Sequence, residues 1–210
     1  MAATEHPMHA LAGFLPEGTF DQVVAYLHQY KVHLTLTKER KSVLGDYRNA
    51  VPGKNHRISV NQTLNKYAFL ITLLHELAHL LTFEKYGHRV MSHGKEWKQL
   101  YSHLLATFVQ HDIFPHDIKA ALQHSIANPA ASSCAEEGLM RVLRKYDDKK
   151  PHVSLLEELP PHAWFKTADG RIFQKMEKLR KRYRCQEIKT GLIYLFSPIY
   201  EVQQVSKPGA

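Results

Sequence analysis

Leu73-Leu74-His75-Glu76-Leu77-Ala78-His79-Leu80-Leu81 is the stretch on which the rest of the chain turns. It sets a His-Glu-x-x-His pattern inside an apolar run. Residues four apart in an α-helix lie one turn up and about 40° round from each other. His75 and His79 can therefore offer both imidazoles to one metal ion. Glu76 lies beside the first of them, within reach of a water on that ion. Two histidine ligands and a glutamate general base make a metallopeptidase arrangement. The flanking Phe69, Leu70, Ile71, Leu73, Leu74, Leu77, Leu80 and Leu81 make the helix apolar almost all round, which predicts burial. A metal removes the cost of placing two imidazoles and a carboxylate there; the alternative is three polar residues hydrogen-bonded in a core.

The whole chain bounds this reading. Its 210 residues suit one domain of ordinary size plus a small appendage, and 44% hydrophobic with 23% charged residues is globular composition. No apolar run approaches the 18 or so residues of a membrane span. Met1 to Leu15 lacks the basic and apolar regions of a secretory signal. With no export signal, the two cysteines, Cys134 and Cys185, read as reduced thiols and small core residues, so a cytoplasmic protein is expected. The formal net charge of +8 favours polyanionic partners, nucleic acid first.

Residues 1–15 read as a poorly ordered lead-in. Thr19 reads as the cap of a helix at about 20–30, where Phe20, Val23, Val24, Leu27 and Tyr30 keep helical spacing. Three strands follow: Val32 to Thr37, Ser42 to Arg48 and His56 to Val60. They read as a small antiparallel sheet ahead of the metal helix. Asn65 is the expected cap of that helix and Gly87 its stop. Further helices run through Trp97 to Phe108, from Pro115 to Ile126, and after a Ser133/Glu136 capping box. Asp147 to Pro151 reads as a linker. Beyond it, Thr167 to Gly170 and Lys189 to Gly191 are hairpin signals, and residues 151–205 read as a small antiparallel β module. The expected division is 15–128 for the metal domain, 129–150 for a capped helix and linker, and 151–205 for the β module.

A catalytic zinc needs a third protein ligand and an open position. Glu84 falls about 140° round the helix from His79, facing away. Thr82 and Lys85 stand where a metzincin pattern needs Gly and His. Glu96 has a sufficient role in the first turn of the next helix. His88 and His93 lie on the returning loop. His93 is favoured, because it stands at a helix start, followed by Gly94 and held by Trp97.

His75-Glu76-Leu77-Ala78-His79, Gly87-His88 and His93-Gly94-Lys95-Glu96-Trp97-Lys98 together resemble the SprT-like zinc metalloproteases, the family of SprT and Spartan. The likeness covers roughly residues 15–125. It implies an α+β, zincin-like domain, one Zn²⁺, His93 as third ligand and Glu76 as general base. It also implies proteolysis of DNA-associated or DNA-crosslinked protein. Many members end in a four-cysteine zinc ribbon, which two cysteines cannot build, so a metal-free β module is expected. A mixed site using His152 or His162 is the alternative.

Lys175 to Arg184 holds six basic residues and one acid. As a strand it would set Arg180, Arg182 and Arg184 on one face, a phosphate-binding ridge flanked by Lys178 and Lys181. The bland alternative is a solvated, charged strand that guards a sheet edge. The main reading is a zinc endopeptidase with protein substrates and DNA as partner. Tyr86, His88 and Arg89 are near enough in sequence to be oxyanion donors. The competing reading is a non-enzymatic nucleic-acid-binding protein with a structural zinc, closed by a fourth ligand such as His88. A third is a zinc hydrolase acting on a non-protein substrate.

Overall fold

A computed structural model describes residues 8–40, 43–130, 136–148 and 152–207. The chain forms two compact units, Met1–Asp147 and Asp148–Ala210. The fold is α+β.

The first unit is built round one long helix. In chain order it has α1 (Phe20–Gln29), β1 (His33–Thr37), β2 (Gly45–Arg48), β3 (Arg57–Asn61), α2 (Lys66–Tyr86), α3 (Lys95–Gln110), α4 (His116–Ala127) and α5 (Glu137–Leu143). The lead-in is more ordered than expected. Met8–Phe14 forms a 3-10 helix, and Leu11 and Leu15 are buried in the main core. Thr19 precedes α1, but its hydroxyl donates to the Pro16 carbonyl at 2.7 Å and caps no helical N–H. Ser133 of the expected capping box lies outside the described residues, as does Cys134; α5 begins directly after Glu136.

The three strands order as β1-β3-β2. β2 pairs antiparallel with β3, but β1 pairs with β3 in parallel, His33 opposite Arg57 through Thr37 opposite Asn61. The sheet is therefore mixed, where an antiparallel one was expected. Alternation shows which face of a strand is buried but carries nothing about pairing order. The cause lies in the β1–β2 connection, which crosses the end of β3 instead of turning back as a hairpin. Arg40 in that connection donates from Nε to Asn61 Oδ1 (2.8 Å) and from Nη1 to Ser59 Oγ (3.0 Å). Asn61 Nδ2 returns bonds to the Arg40 and Val43 carbonyls. The central strand is accordingly the most buried of the three.

α2 starts where its cap predicts. Asn65 Oδ1 accepts from Tyr67 N and Ala68 N, and Asn65 Nδ2 donates to the Leu143 carbonyl, tying the helix start to the end of α5. Gly87 ends the helix at φ 61°, a left-handed conformation suited to glycine. In between, thirteen residues are buried, from Ala68 to Thr82. Such a helix sits inside the unit, with β2 and β3 on one side and α3 on another.

The second unit holds one all-antiparallel sheet of six strands: β4 (Val153–Leu155), β5 (Trp164–Lys166), β6 (Ile172–Lys178), β7 (Tyr183–Glu187), β8 (Ile193–Phe196) and β9 (Glu201–Val205). Their order is β4-β9-β5-β6-β7-β8. Both expected hairpins form, with Gly170 at φ 88° and Gly191 at φ 71°. Leu156, Leu159, Phe165, Phe173, Cys185 and Val202 make its core. Cys185 is a free thiol and a small core residue, as expected, and burial raises its pKa to about 11.

The basic stripe is not one strand. β6 ends at Lys178, Leu179 to Arg182 form a tight connection closed by Leu179 N donating to the Arg182 carbonyl (2.7 Å), and β7 begins at Tyr183. Arg180 and Arg182 thus stand on a hairpin tip, and Arg184 stands on β7, where Nη1 pairs with Glu177 Oε1 at 2.7 Å. The expected ridge of three parallel arginines does not form. The charge of the stripe concealed a turn that lacks glycine, proline, asparagine and aspartate, the usual markers.

Candidate metal centre

His75 and His79 project from one side of α2, four residues apart, and His93 reaches them from the loop ahead of α3. The Nε2 atoms of His75 and His79 are 3.3 Å apart, and those of His75 and His93 are 3.4 Å apart. Two nitrogens bound tetrahedrally to zinc at 2.0–2.1 Å stand about 3.3–3.4 Å from each other. One nitrogen of each of the three residues lies within 4.8 Å of the others, the one cluster of this kind among the described residues. Burial keeps the donors ready for a cation. It lowers the pKa of His75 to about 3 and of His79 to about 4, and lowers that of His93, so the imidazoles are neutral and their lone pairs free. Each neutral imidazole keeps one ring nitrogen with a lone pair, and three such nitrogens at this spacing can be taken by one divalent cation. The donor set therefore fits zinc.

Trp97 holds the cluster. It is fully buried, and its ring centroid lies 4.7 Å from His75, 5.2 Å from His79 and 4.7 Å from His93. Tyr101, one turn further along α3, packs on both His75 and Trp97. Gly94 fits this corner because of space. Its φ is −72°, which any residue adopts, but a Cβ would meet the Met91 carbonyl at 3.1 Å and Glu96 Oε2 at 3.3 Å.

Glu76 sits next to His75 in the chain and is 4% exposed. Burial, with Asp46 adding to it and Arg40 opposing, raises its pKa to about 8. A cation at the three imidazoles favours the carboxylate and reverses that shift. The bare backbone of Gly45 presses against the Glu76 side chain: a Cβ there would lie 2.5 Å from Oε1 and 2.8 Å from Thr72 Cγ2.

Residues 17–120 match the model of the SprT-like family. This chain belongs to the SprT-like family. No curated protein and no solved structure matches it. The SprT-like domain here is metallopeptidase-like and zincin-like, with the three-histidine cluster at its centre.

Other expected residues stand apart from this cluster. His88 packs edge-on against Phe83 at 5.1 Å, and Arg89 Nε donates to the Tyr86 carbonyl. Glu84 is outside the three-histidine group, and its Oε1 meets His56 Nε2 at 3.2 Å. His152 and His162 join no metal-holding group among the described residues. Lys178, Arg180, Lys181 and Arg182 are exposed at the hairpin tip of the second unit.

Three residues near the site escaped sequence reasoning. Gly45 bounds the Glu76 carboxylate. Tyr47, two residues on and so on the same strand face, lies nearly parallel to the His79 ring at 6.3 Å. His56 Nδ1 accepts from Ala50 N at 3.2 Å and from Tyr47 Oη at 2.9 Å. Its Nε2 then carries the proton that faces Glu84. Burial and the Glu84 charge hold the Tyr47 hydroxyl well above its ordinary pKa, so it remains a donor. The signal was faint: a glycine and a tyrosine at alternate positions of a short strand.

Proposed function

We propose that this protein is a zinc-dependent endopeptidase acting on DNA-associated or DNA-crosslinked proteins. The observation that carries the proposal is the spacing of the three imidazole nitrogens, which suits tetrahedral zinc, with Glu76 beside them. His75, His79 and His93 hold the ion on this reading. When bound, zinc supplies an acidified water and polarises the scissile carbonyl. Glu76 accepts the proton of that water on a carboxylate oxygen and delivers it to the departing amide nitrogen. The Gly45 wall keeps the carboxylate aimed at the water, and Trp97 keeps the imidazoles converged. Burial of His75 and Glu76 strengthens the charge interactions they make.

Two features support the DNA part. The chain carries a formal net charge of +8. The exposed hairpin tip with Lys178, Arg180, Lys181 and Arg182 offers a compact set of phosphate contacts, in place of the strand ridge. Its setting on this reading is cytoplasmic; no helix among the described residues is long and apolar enough to cross a membrane.

The test is cleavage of a protein crosslinked to a short duplex, compared with the same protein free of DNA. Fragments that appear only with zinc-loaded enzyme, and faster with DNA, are expected. Cleavage that survives full removal of zinc contradicts the proposal.

A further inference from the structure

Among the described residues the two sheets have four edge strands, β1, β2, β4 and β8. β1 alternates its two leucines with His33, Thr35 and Thr37, β2 carries Asp46 and Arg48, and β4 is three residues long. Short length and charge are the usual devices against unwanted strand pairing. β8 has neither. From Gly191 to Ile199 the chain contains no charged residue. Tyr194 and Phe196 pack on the core of the second unit, while Leu192, Ile193 and Leu195 are 58%, 40% and 51% exposed. β8 bonds to β7 on one side and to no other strand among the described residues.

The charges round this edge decide what it suits. Phe196 is opposite Tyr183, so the C-terminal end of β8 lies beside the start of β7 and the tip with Arg180, Lys181 and Arg182. Lys189 stands in the turn that leads into its N-terminal end. Both ends of the edge are positive. A second copy pairing antiparallel along β8 would bring the basic tip of one chain to Lys189 of the other, like charge on like. An acidic partner meets no such repulsion.

We propose that β8 is a docking edge for an extended peptide of a partner protein, with a short β-branched or aliphatic core and acidic residues at both ends. The peptide adds a strand to the sheet, its backbone bonding to the free side of β8 and its apolar side chains covering Ile193 and Leu195. Lys189 at one end and the Arg180–Arg182 tip at the other meet its acidic residues. The edge belongs to the second unit and the metal centre to the first.

The test uses the full chain and a labelled nine-residue peptide, Glu-Glu-Val-Thr-Val-Thr-Val-Glu-Glu, followed by fluorescence anisotropy and by amide chemical shifts. Binding in the range of about 1–100 μM is expected, with the shifts centred on Ile193 to Phe196. A peptide with lysines in place of its glutamates is expected to bind at least about tenfold more weakly, as is the acidic peptide at raised salt. Leu195→Lys is expected to abolish binding. Lys181→Glu, which leaves the apolar edge intact, is expected to weaken it several-fold. The proposal is overturned by an absence of binding up to about 1 mM, by equal binding of the acidic and basic peptides, or by shifts that fall elsewhere. Dimers in sedimentation that Leu195→Lys dissolves overturn it in favour of self-pairing. A single-stranded oligonucleotide that shifts Ile193 to Phe196 and displaces the peptide from them overturns it in favour of nucleic acid, whereas oligonucleotide shifts confined to the Lys178–Arg182 tip concern the proposed DNA contact and leave the β8 edge to the peptide.

Discussion

Gly45→Ala adds one methyl group to the wall of the candidate site. The new Cβ would stand 2.5 Å from Glu76 Oε1, 2.8 Å from Thr72 Cγ2 and 2.9 Å from Glu76 Cγ, where ordinary contacts begin at 3.4 Å. Either the strand or the carboxylate must move by about 0.9 Å, because packed interiors have no spare volume. The strand is the stiffer of the two. The Arg40 and Asn61 bonds hold the connection that leads into it, and Asn61 N donates to the Leu44 carbonyl immediately before it. Glu76 therefore yields. A misplacement of about 1 Å in a catalytic group costs on the order of 10²-fold in rate, or about 2.7 kcal/mol of barrier. Overpacking costs a further 1–3 kcal/mol or so of stability. His75, His79 and His93 are untouched, so zinc content is expected to match that of the wild type. The assay is kcat/KM for cleavage of a DNA-linked protein, with zinc measured on the same sample. A Gly45→Ala enzyme with full zinc and wild-type kcat/KM would refute the reasoning, since the wall would then not position Glu76.

Other outcomes follow from the same geometry. His93→Ala removes one of three donors and is expected to lower zinc affinity by at least about 10²-fold, read by competition with a chromogenic chelator. In the metal-free protein, Glu76 has a folded pKa of about 8 against an ordinary 4.5. The stability this group lends below pH 4.5 is therefore lost as pH rises toward 8, and Glu76→Gln is expected to stabilise the metal-free protein at pH 7 by about 3 kcal/mol, measured by urea unfolding. His75 runs the other way. Its pKa is depressed to about 3, so stability is present above pH 6.5 and lost as pH falls toward 3. His79, depressed to about 4, acts in the same sense, so metal-free Glu76→Gln is expected to lose about 3 kcal/mol between pH 6.5 and pH 5. Asn65→Ala deletes two accepted cap bonds and the bond to Leu143, and is expected to cost about 1–2 kcal/mol in thermal unfolding.

The metal helix was legible in the sequence because its signals agree. An apolar run, an asparagine before it and a glycine after it all point to one buried helix, and the histidine spacing then places both imidazoles together. His93 was legible for a different reason: Gly94 and Trp97 mark a loop tied to a rigid element. The mixed sheet was not legible, since β1 pairs with β3 through a crossing that depends on Arg40 and Asn61, 21 residues apart. Gly45 was hidden in the same way. Its role comes from what lies across from it in space, and nothing within the strand sequence reports that. The basic stripe misled because charge says where solvent is and does not say where a strand ends.

The measurement that tests the central claim most directly compares wild type with Glu76→Gln, both zinc-loaded, on one DNA-crosslinked protein substrate. The substitution keeps the size of the side chain and removes its capacity to hold a proton on a carboxylate. The expected result is equal zinc content, substrate fragments with the wild type, and a rate lower by about 10²–10⁴-fold with the variant. Equal cleavage by both proteins would contradict the account, because Glu76 would then not be the base.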